Sequence, residues 1–216
     1  MTSFLIRVWG PRARFTAPHT RAEPYTEDCM TPSAGHRLLT TIYAKPEMHW
    51  LIDEINVMKP IRKENSVVKG PGKSRLDSTL QTTTDLLDVE YVIRARVAIN
   101  PARTDDLKKY IGESARRLST GQRHQPLYLG IREYPAYYEL LDPGTEVRPI
   151  EDTRPLGSIL YANVPVNFAT DTYESVFFNG WLRNGTLNVP DHLHTTWVPK
   201  IMAQVHQRIE AQRGAL

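Results

Sequence analysis

The sequence predicts an α+β fold of the order βαββαβ, the ferredoxin-like (RRM-like) unit, over residues 1–140. A smaller β-rich part with a terminal helix is expected over residues 141–216. Three observations carry this reading. The runs FLIRVWG (4–10) and VEYVIRARVAIN (89–100) have the composition and alternation of strands. Two helix starts, TPSA at Thr31 and TDD at Thr104, fall one before and one after a pair of strand-like segments. Beyond residue 140 the chain turns to strand-like runs broken by Asn-Gly pairs.

In the first strand Leu5, Arg7 and Trp9 alternate with Phe4, Ile6 and Val8, so one face is wetter than the other. The stretch up to Met30 is rich in Pro, Arg and Thr and reads as a long loop. Thr31 caps the first helix and Pro32 suits its first turn. Leu38, Leu39 and Ile42 form its apolar face, and Pro46 marks its end. Residues 54–61 read as the second strand. Residues 62–84 are polar and basic around Gly70-Pro71-Gly72 and read as a mobile loop. The second helix follows Thr104-Asp105-Asp106, buries Leu107, Ile111, Ser114 and Leu118, and stops at Thr120-Gly121. A strand near Tyr128 or Tyr137 completes the unit. LGSILYANV and YESVFFNGWLRNGTLNVP then read as strands, with Asn179-Gly180 and Asn184-Gly185 as hairpin signals, and residues 197–212 as a last amphipathic helix.

The 216 residues carry a net charge of +3, a weak hint of an anionic partner. Local clusters say more. Lys59, Arg62, Lys63, Lys69, Lys73 and Arg75 crowd one segment, and Arg116, Arg117, Arg123 and His124 another. Such cations beside a sheet suit RNA phosphates, and a solvated surface explains them equally. Cys29 stands alone, which excludes an intrachain disulfide and a thiolate metal site. With no secretory leader and no bilayer-length apolar run, a soluble cytoplasmic protein is expected.

Tyr43 either edges the core or, beside Lys45 and on nearly the same helix face as His36, has a phenol lowered by cations below its usual value of about 10. Lys108 and Lys109 fit a solvated helix face, and Tyr110 fits packing. His124 sits in a loop. His192 and His194 alternate like a metal pair without an evident third ligand, so no metal and no cofactor are expected. Phosphate-loop, dinucleotide, HExxH and GxSxG signatures do not occur.

Taken together, FLIRVWG, TPSA…IYAKP…W, VMKPIRKEN, GQRHQPLYLGIREYPA and FFNGWLRNGTLNVP resemble the CRISPR-associated Cas-five family, Dvulg subtype, of type I-C systems. The resemblance runs from Phe4 to about Pro190. It implies a metal-independent endoribonuclease that cuts CRISPR repeat RNA and stays on the 5′ handle of the guide. It further implies partners in the backbone and large subunits of the type I-C surveillance complex, and no membrane. The family's catalytic tyrosine maps onto Tyr43 and its lysine onto Lys109. The histidine that should follow is Tyr110 here. His124, His36 or Tyr110 itself then stands in, or the chain binds the handle without cutting. Lys45, Lys59, Arg62, Lys63, Lys69, Lys73, Arg75, Arg116, Arg117 and Arg123 are the expected RNA contacts, and Lys45 is a second candidate acid.

Overall fold

The structure, a computed structural model, describes residues 2–16, 25–70, 79–100, 107–167 and 172–213, the side chains of 68–70, 79–81, 167 and 209–213 excepted. Its elements run β1 (Ser3–Ala13), α1 (Pro32–Ile42), β2 (Met48–Val57), β3 (Lys63–Gly70), β4 (Thr79–Ile99) and α2 (Leu107–Thr120). β5 (Tyr137–Leu141), β6 (Arg154–Asn167), β7 (Thr172–Arg183), β8 (Thr186–Asn188) and α3 (Asp191–Arg213) follow.

All neighbouring strands are antiparallel, in the order β5-β1-β4-β2-β8-β7-β6, with β3 paired to β4. The first four strands of that order are the ferredoxin-like arrangement. β8 then pairs with β2 through Ile55 and Leu187, so the chain beyond Leu141 extends the same sheet. The pleat sorts the side chains. Phe4, Ile6 and Val8 of β1 face Ala95, Ile93 and Tyr91 of β4, and all are buried in the main core with Leu38, Leu39 and Leu118 of the helices. Arg7, Arg94 and Arg96 lie on the opposite face, each held by a carboxylate: Glu90 at 2.8 Å, Glu54 at 2.9 Å and Asp53 at 2.7 Å. These cations are neutralised within the sheet.

Several boundaries differ from expectation. β2 occupies residues 48–57 rather than 54–61, and a bulge between Ile52 and Glu54 breaks its alternation. The mobile loop expected over residues 62–84 is largely the β3–β4 hairpin, in which Thr82, Thr83 and Thr84 pair with Val67, Ser66 and Asn65. β-Branched threonines suit strands despite their polarity, and apolar counting passes over them. Lys69 belongs to β3, with its side chain among those not described. Lys73, Arg75 and the Thr104 cap lie outside the described residues. Asn184-Gly185 makes the β7–β8 turn with both φ angles positive, 48° and 73°. Asn179-Gly180 makes no turn. It continues β7, where a side chain at 180 would strike Ile159. The last helix begins at Asp191, six residues before Trp197, and keeps Pro199 inside it.

The GIREYPA motif serves the fold. The Tyr134 hydroxyl donates to Asp85 Oδ2 at 2.6 Å, and Arg14 Nε donates to Asp85 Oδ1 at 2.5 Å. Asp85 is 1% exposed, so this network holds a polar group inside the domain. Gly130, at φ 86°, lets the turn press on the Arg14 carbonyl, which a Cβ would approach to 1.7 Å.

Candidate functional site

The first helix ends at Ile42. Tyr43 is its C-cap: its N–H still donates to Leu39 O at 2.9 Å, while its own backbone is extended at φ −151°, ψ 125°. The buried Trp50 indole donates to Tyr43 O at 2.8 Å and fixes that departure. Because the backbone leaves the helical path, the Tyr43 side chain leaves the α1 faces and turns toward α2. His36 and Tyr43 therefore do not share a site. His36 Nδ1 meets Trp50 O at 2.9 Å, and its ring stacks on His49 with centroids 4.2 Å apart.

Helix α2 meets Tyr43 with Tyr110, Glu113 and Arg117, spaced three, four and seven along one face. The Arg117 guanidinium carbon lies 4.9 Å from the Tyr43 ring centre. Glu113 Oε1 accepts from Arg117 Nε at 2.8 Å, and both Glu113 oxygens accept from Arg116. The Tyr110 hydroxyl reaches Glu47 Oε2 at 3.5 Å, and Tyr110 is buried, as packing requires. Lys109 lies on the exposed side of α2, one turn before Glu113, and Lys108 is exposed beside it.

The electrostatics correct one expectation. Burial pushes the Tyr43 phenol above its ordinary value. Glu113 and Tyr110 add to the rise, and Arg117 opposes it without prevailing. The phenol is neutral at physiological pH. Glu113 behaves in the opposite way: hydrogen bonds from Arg116 and Arg117 pull its carboxyl down to about 2. The site is thus a neutral phenol beside a fixed ion triad.

His124 joins through Arg117, whose Nη1 lies 3.5 Å from His124 Nε2, and its backbone N–H donates to Thr41 O at 3.1 Å. Arg123 is exposed in the same loop, and Lys45 is exposed two residues past Tyr43. The structure therefore gathers Tyr43, Tyr110, Arg116, Arg117 and His124 and leaves Lys109 and Lys45 at the margin. The first basic cluster lies elsewhere. Lys59 is paired to Asp88 at 2.7 Å, and Lys63 to Asp28 at 2.5 Å with Tyr25 OH at 2.6 Å. Arg62 is exposed.

His192 is exposed and apart from His194. His194 lies with Asp53 and Asp191, their ligand atoms within 4.8 Å of one another, so third ligands do exist. Arg96 already bridges the two carboxylates, at 2.7 Å and 3.5 Å, and supplies the cation there.

The family model Cas_Cas5d, described as CRISPR-associated protein (Cas_Cas5), matches residues 3–208. The chain belongs to the Cas5d family. The match passes Pro190 and takes in most of α3, beyond the extent of the sequence resemblance. The protein named CRISPR pre-crRNA endoribonuclease Cas5d of Mannheimia succiniciproducens is 33% identical over 214 aligned residues, covering 86% of this chain and 93% of the relative. Its namesake from Thermus thermophilus is 34% identical over 146 residues, 64% of each chain. The crystal structure of a CRISPR-associated protein matches with TM-score 0.67 at 21% identity over 88% of this chain and 92% of that one. A functionally uncharacterized protein from Streptococcus mutans gives the same TM-score and coverages at 22% identity. These two structures share the fold.

Two acids of this cluster, Glu113 and Glu47, were not expected from the sequence. The signal for Glu113 was present: it stands three and four residues before Arg116 and Arg117, the spacing of helical ion pairs. Glu47 carried no such signal, because its partner Tyr110 is 63 residues away.

Proposed function

We infer that this Cas5d chain is an endoribonuclease that cleaves CRISPR repeat RNA to mature guide RNA, by internal transesterification at the Tyr43 site. The observation that carries the reading is the packing of Tyr43 under Arg117 and beside Glu113 and Tyr110, in a chain whose relatives bear that activity in their names. The 2′-oxygen of the nucleotide before the cut attacks the adjacent phosphorus, and the bond to the 5′-oxygen breaks. The products are a 2′,3′-cyclic phosphate and a 5′-hydroxyl. Tyr43, neutral and fixed at its backbone by Trp50, orients the 2′-hydroxyl by hydrogen bond, and the hydroxyl proton passes to solvent water as attack proceeds. Lys109 and Arg117 face the charge that builds on the phosphoryl oxygens. His124, held by Arg117 and Thr41 O, protonates the leaving oxygen. Its position favours it over His36, which α1 turns onto Trp50 O and the His49 ring of β2, and over Lys45. The nucleophile is the substrate's own hydroxyl, so the chemistry needs no metal-activated water.

After cutting, the chain stays on the 5′ handle as a subunit of the type I-C surveillance complex, in the cytoplasm where that RNA is processed. The ferredoxin-like part carries the chemistry, and the extension from 141 supports it along β2. The deciding experiment incubates purified protein with labelled repeat RNA in EDTA. Cutting persists there and stops when the ribose before the cut is deoxyribose. Cleavage of the deoxy substrate sinks the mechanism. Tyr110 at the family's histidine position favours one second reading, a handle-binding cap that does not cut. Tight binding of the repeat with no product after long incubation selects it.

A further inference from the structure

A cavity of about 370 Å³ opens on the other side of the Tyr43 loop, between α1, β2, β6 and α3. Its size lies in the range of small-ligand sites, about 300–1,000 Å³. The floor is apolar and buried, with Met48, Trp50, Ile52 and Met202. The rim carries two exposed cations, Arg37 and Lys45. Neither has a carboxylate partner among the described residues, whereas the sheet arginines Arg7, Arg94 and Arg96 are all paired. Arg37 lies over the Tyr128 ring at 5.5 Å, and an apolar floor under two cations without carboxylates suits a flat ring attached to a phosphate.

One wall supplies a hydrogen-bonding group with no proton of its own. His36 Nδ1 lies 2.9 Å from Trp50 O, and a carbonyl only accepts, so Nδ1 carries the proton. Burial holds the His36 ring neutral, which leaves Nε2 as a bare acceptor. Its neighbour Thr40 Oγ1 stands 3.3 Å away, but the single Thr40 proton goes to His36 O at 2.7 Å. Nε2 is therefore short of a donor, and stacking on His49 keeps its ring in place. The N–H edge of a nucleobase is such a donor.

We propose that this cavity receives one nucleobase of the RNA substrate, splayed out next to the cut, with its phosphate against Lys45 and Arg37. The proposal rests on the endoribonuclease reading. Continuity with the Tyr43 site supports it. Ala44, Lys45 and Pro46 line the cavity directly after Tyr43, and Glu47 of the same loop touches Tyr110 on the other side. Consecutive Cα atoms are about 3.8 Å apart, so Lys45 is within about 8 Å of Tyr43 along the backbone. Extruded, single-stranded bases read at their edges are a common mode of RNA recognition.

The test measures Kd on uncleavable repeat RNA, deoxy before the cut, with an abasic site placed in turn at each nucleotide near it. One position is expected to lose about tenfold in affinity for the unmodified protein, the worth of one stacked base. Thr40→Trp, which fills the cavity, is expected to bind intact RNA about tenfold more weakly and to lose nothing more at that abasic position. His36→Leu keeps the bulk and removes the acceptor, and should lose a few-fold with the same non-additivity. It carries the test if a melting curve shows Thr40→Trp unfolded. Losses that simply add, or no sensitive abasic position, overturn the proposal and leave the cavity to a protein segment. Binding is read without cutting. Failure to cleave the all-ribose repeat therefore counts against the endoribonuclease reading alone.

Discussion

Arg117 lies over the ring of Tyr43, 4.9 Å from its centre, although one belongs to the second helix and the other caps the first. Arg117 Nε donates to Glu113 Oε1 at 2.8 Å. The phenol thus sits under a cation that a carboxylate has already partly neutralised, which is why burial prevails and its pKa rises.

Tyr43→Phe should slow cutting by about 100-fold while repeat binding stays within a few-fold, because misplacing a reacting group by about 1 Å costs about 10² in rate. Single-turnover cleavage and filter binding measure the two quantities. A variant that cuts at the unmodified rate would make Tyr43 a packing residue only. Arg117→Gln should lose rate as well, and Lys109→Ala should lose rate more than affinity.

His124→Ala should abolish most cutting, whereas Lys45→Ala should mainly weaken binding. Tyr110→His tests the family position directly: a faster rate with a new inflection near pH 6.5, about the ordinary histidine value, would show that position working again. If Tyr110→His raises the rate and His124→Ala does not lower it, the acid has been misassigned.

Asp85→Ala should destabilise the fold by about 3 kcal/mol or more, since it strands a half-buried arginine. Burial pushes the Asp85 carboxyl up, but its bonds with Arg14 and Tyr134 outweigh that and hold the pKa below normal. The folded state therefore binds this proton less readily than the unfolded chain. The stabilisation is full above the unfolded value of about 3.9 and fades as pH falls below it. Urea melts between pH 5 and 2 should show that slope in the unmodified protein and less of it in the variant.

One buried histidine and two half-buried ones make a second pH window. Burial lowers His36 and His49, and His194 behind them, with His49 also opposed by the other two. The unfolded chain takes up protons first, so stability is complete above about 6.5 and falls as pH drops below it. Tm should decline from pH 7 to 5, and His49→Phe should flatten the decline. An unchanged slope would remove His49 from the account.

Changing Lys69, Lys73 and Arg75 together to Ala should weaken RNA binding and flatten its salt dependence, by up to ~0.7 in slope for each phosphate no longer neutralised. Arg62→Ala should act in the same direction. Lys59→Ala and Lys63→Ala should act less on binding, since those cations are held by Asp88 and Asp28. Equal effects from all of them would mean that RNA breaks these pairs.

The sequence by itself determined what depends on neighbours along the chain. The alternation of residues 4–10 and 89–100, the Thr31 cap, Gly121 after the second helix and the Asn184-Gly185 turn are local choices of backbone and burial, and the fold uses them all. The ferredoxin-like order and the family resemblance could be read from them. Pairings between distant residues were decided only by the tertiary structure. The threonine run 82–84 became a strand because β3 lies beside it, and polarity alone pointed to a loop. Tyr43 left the face of His36 because Trp50 fixes its extended backbone, and helical periodicity ends where the helix does. Whether its phenol would be lowered by cations or raised by burial depended on Glu113 and Arg117, far along the chain on the second helix. Only the packing of both helices on one sheet face brings those charges to the ring.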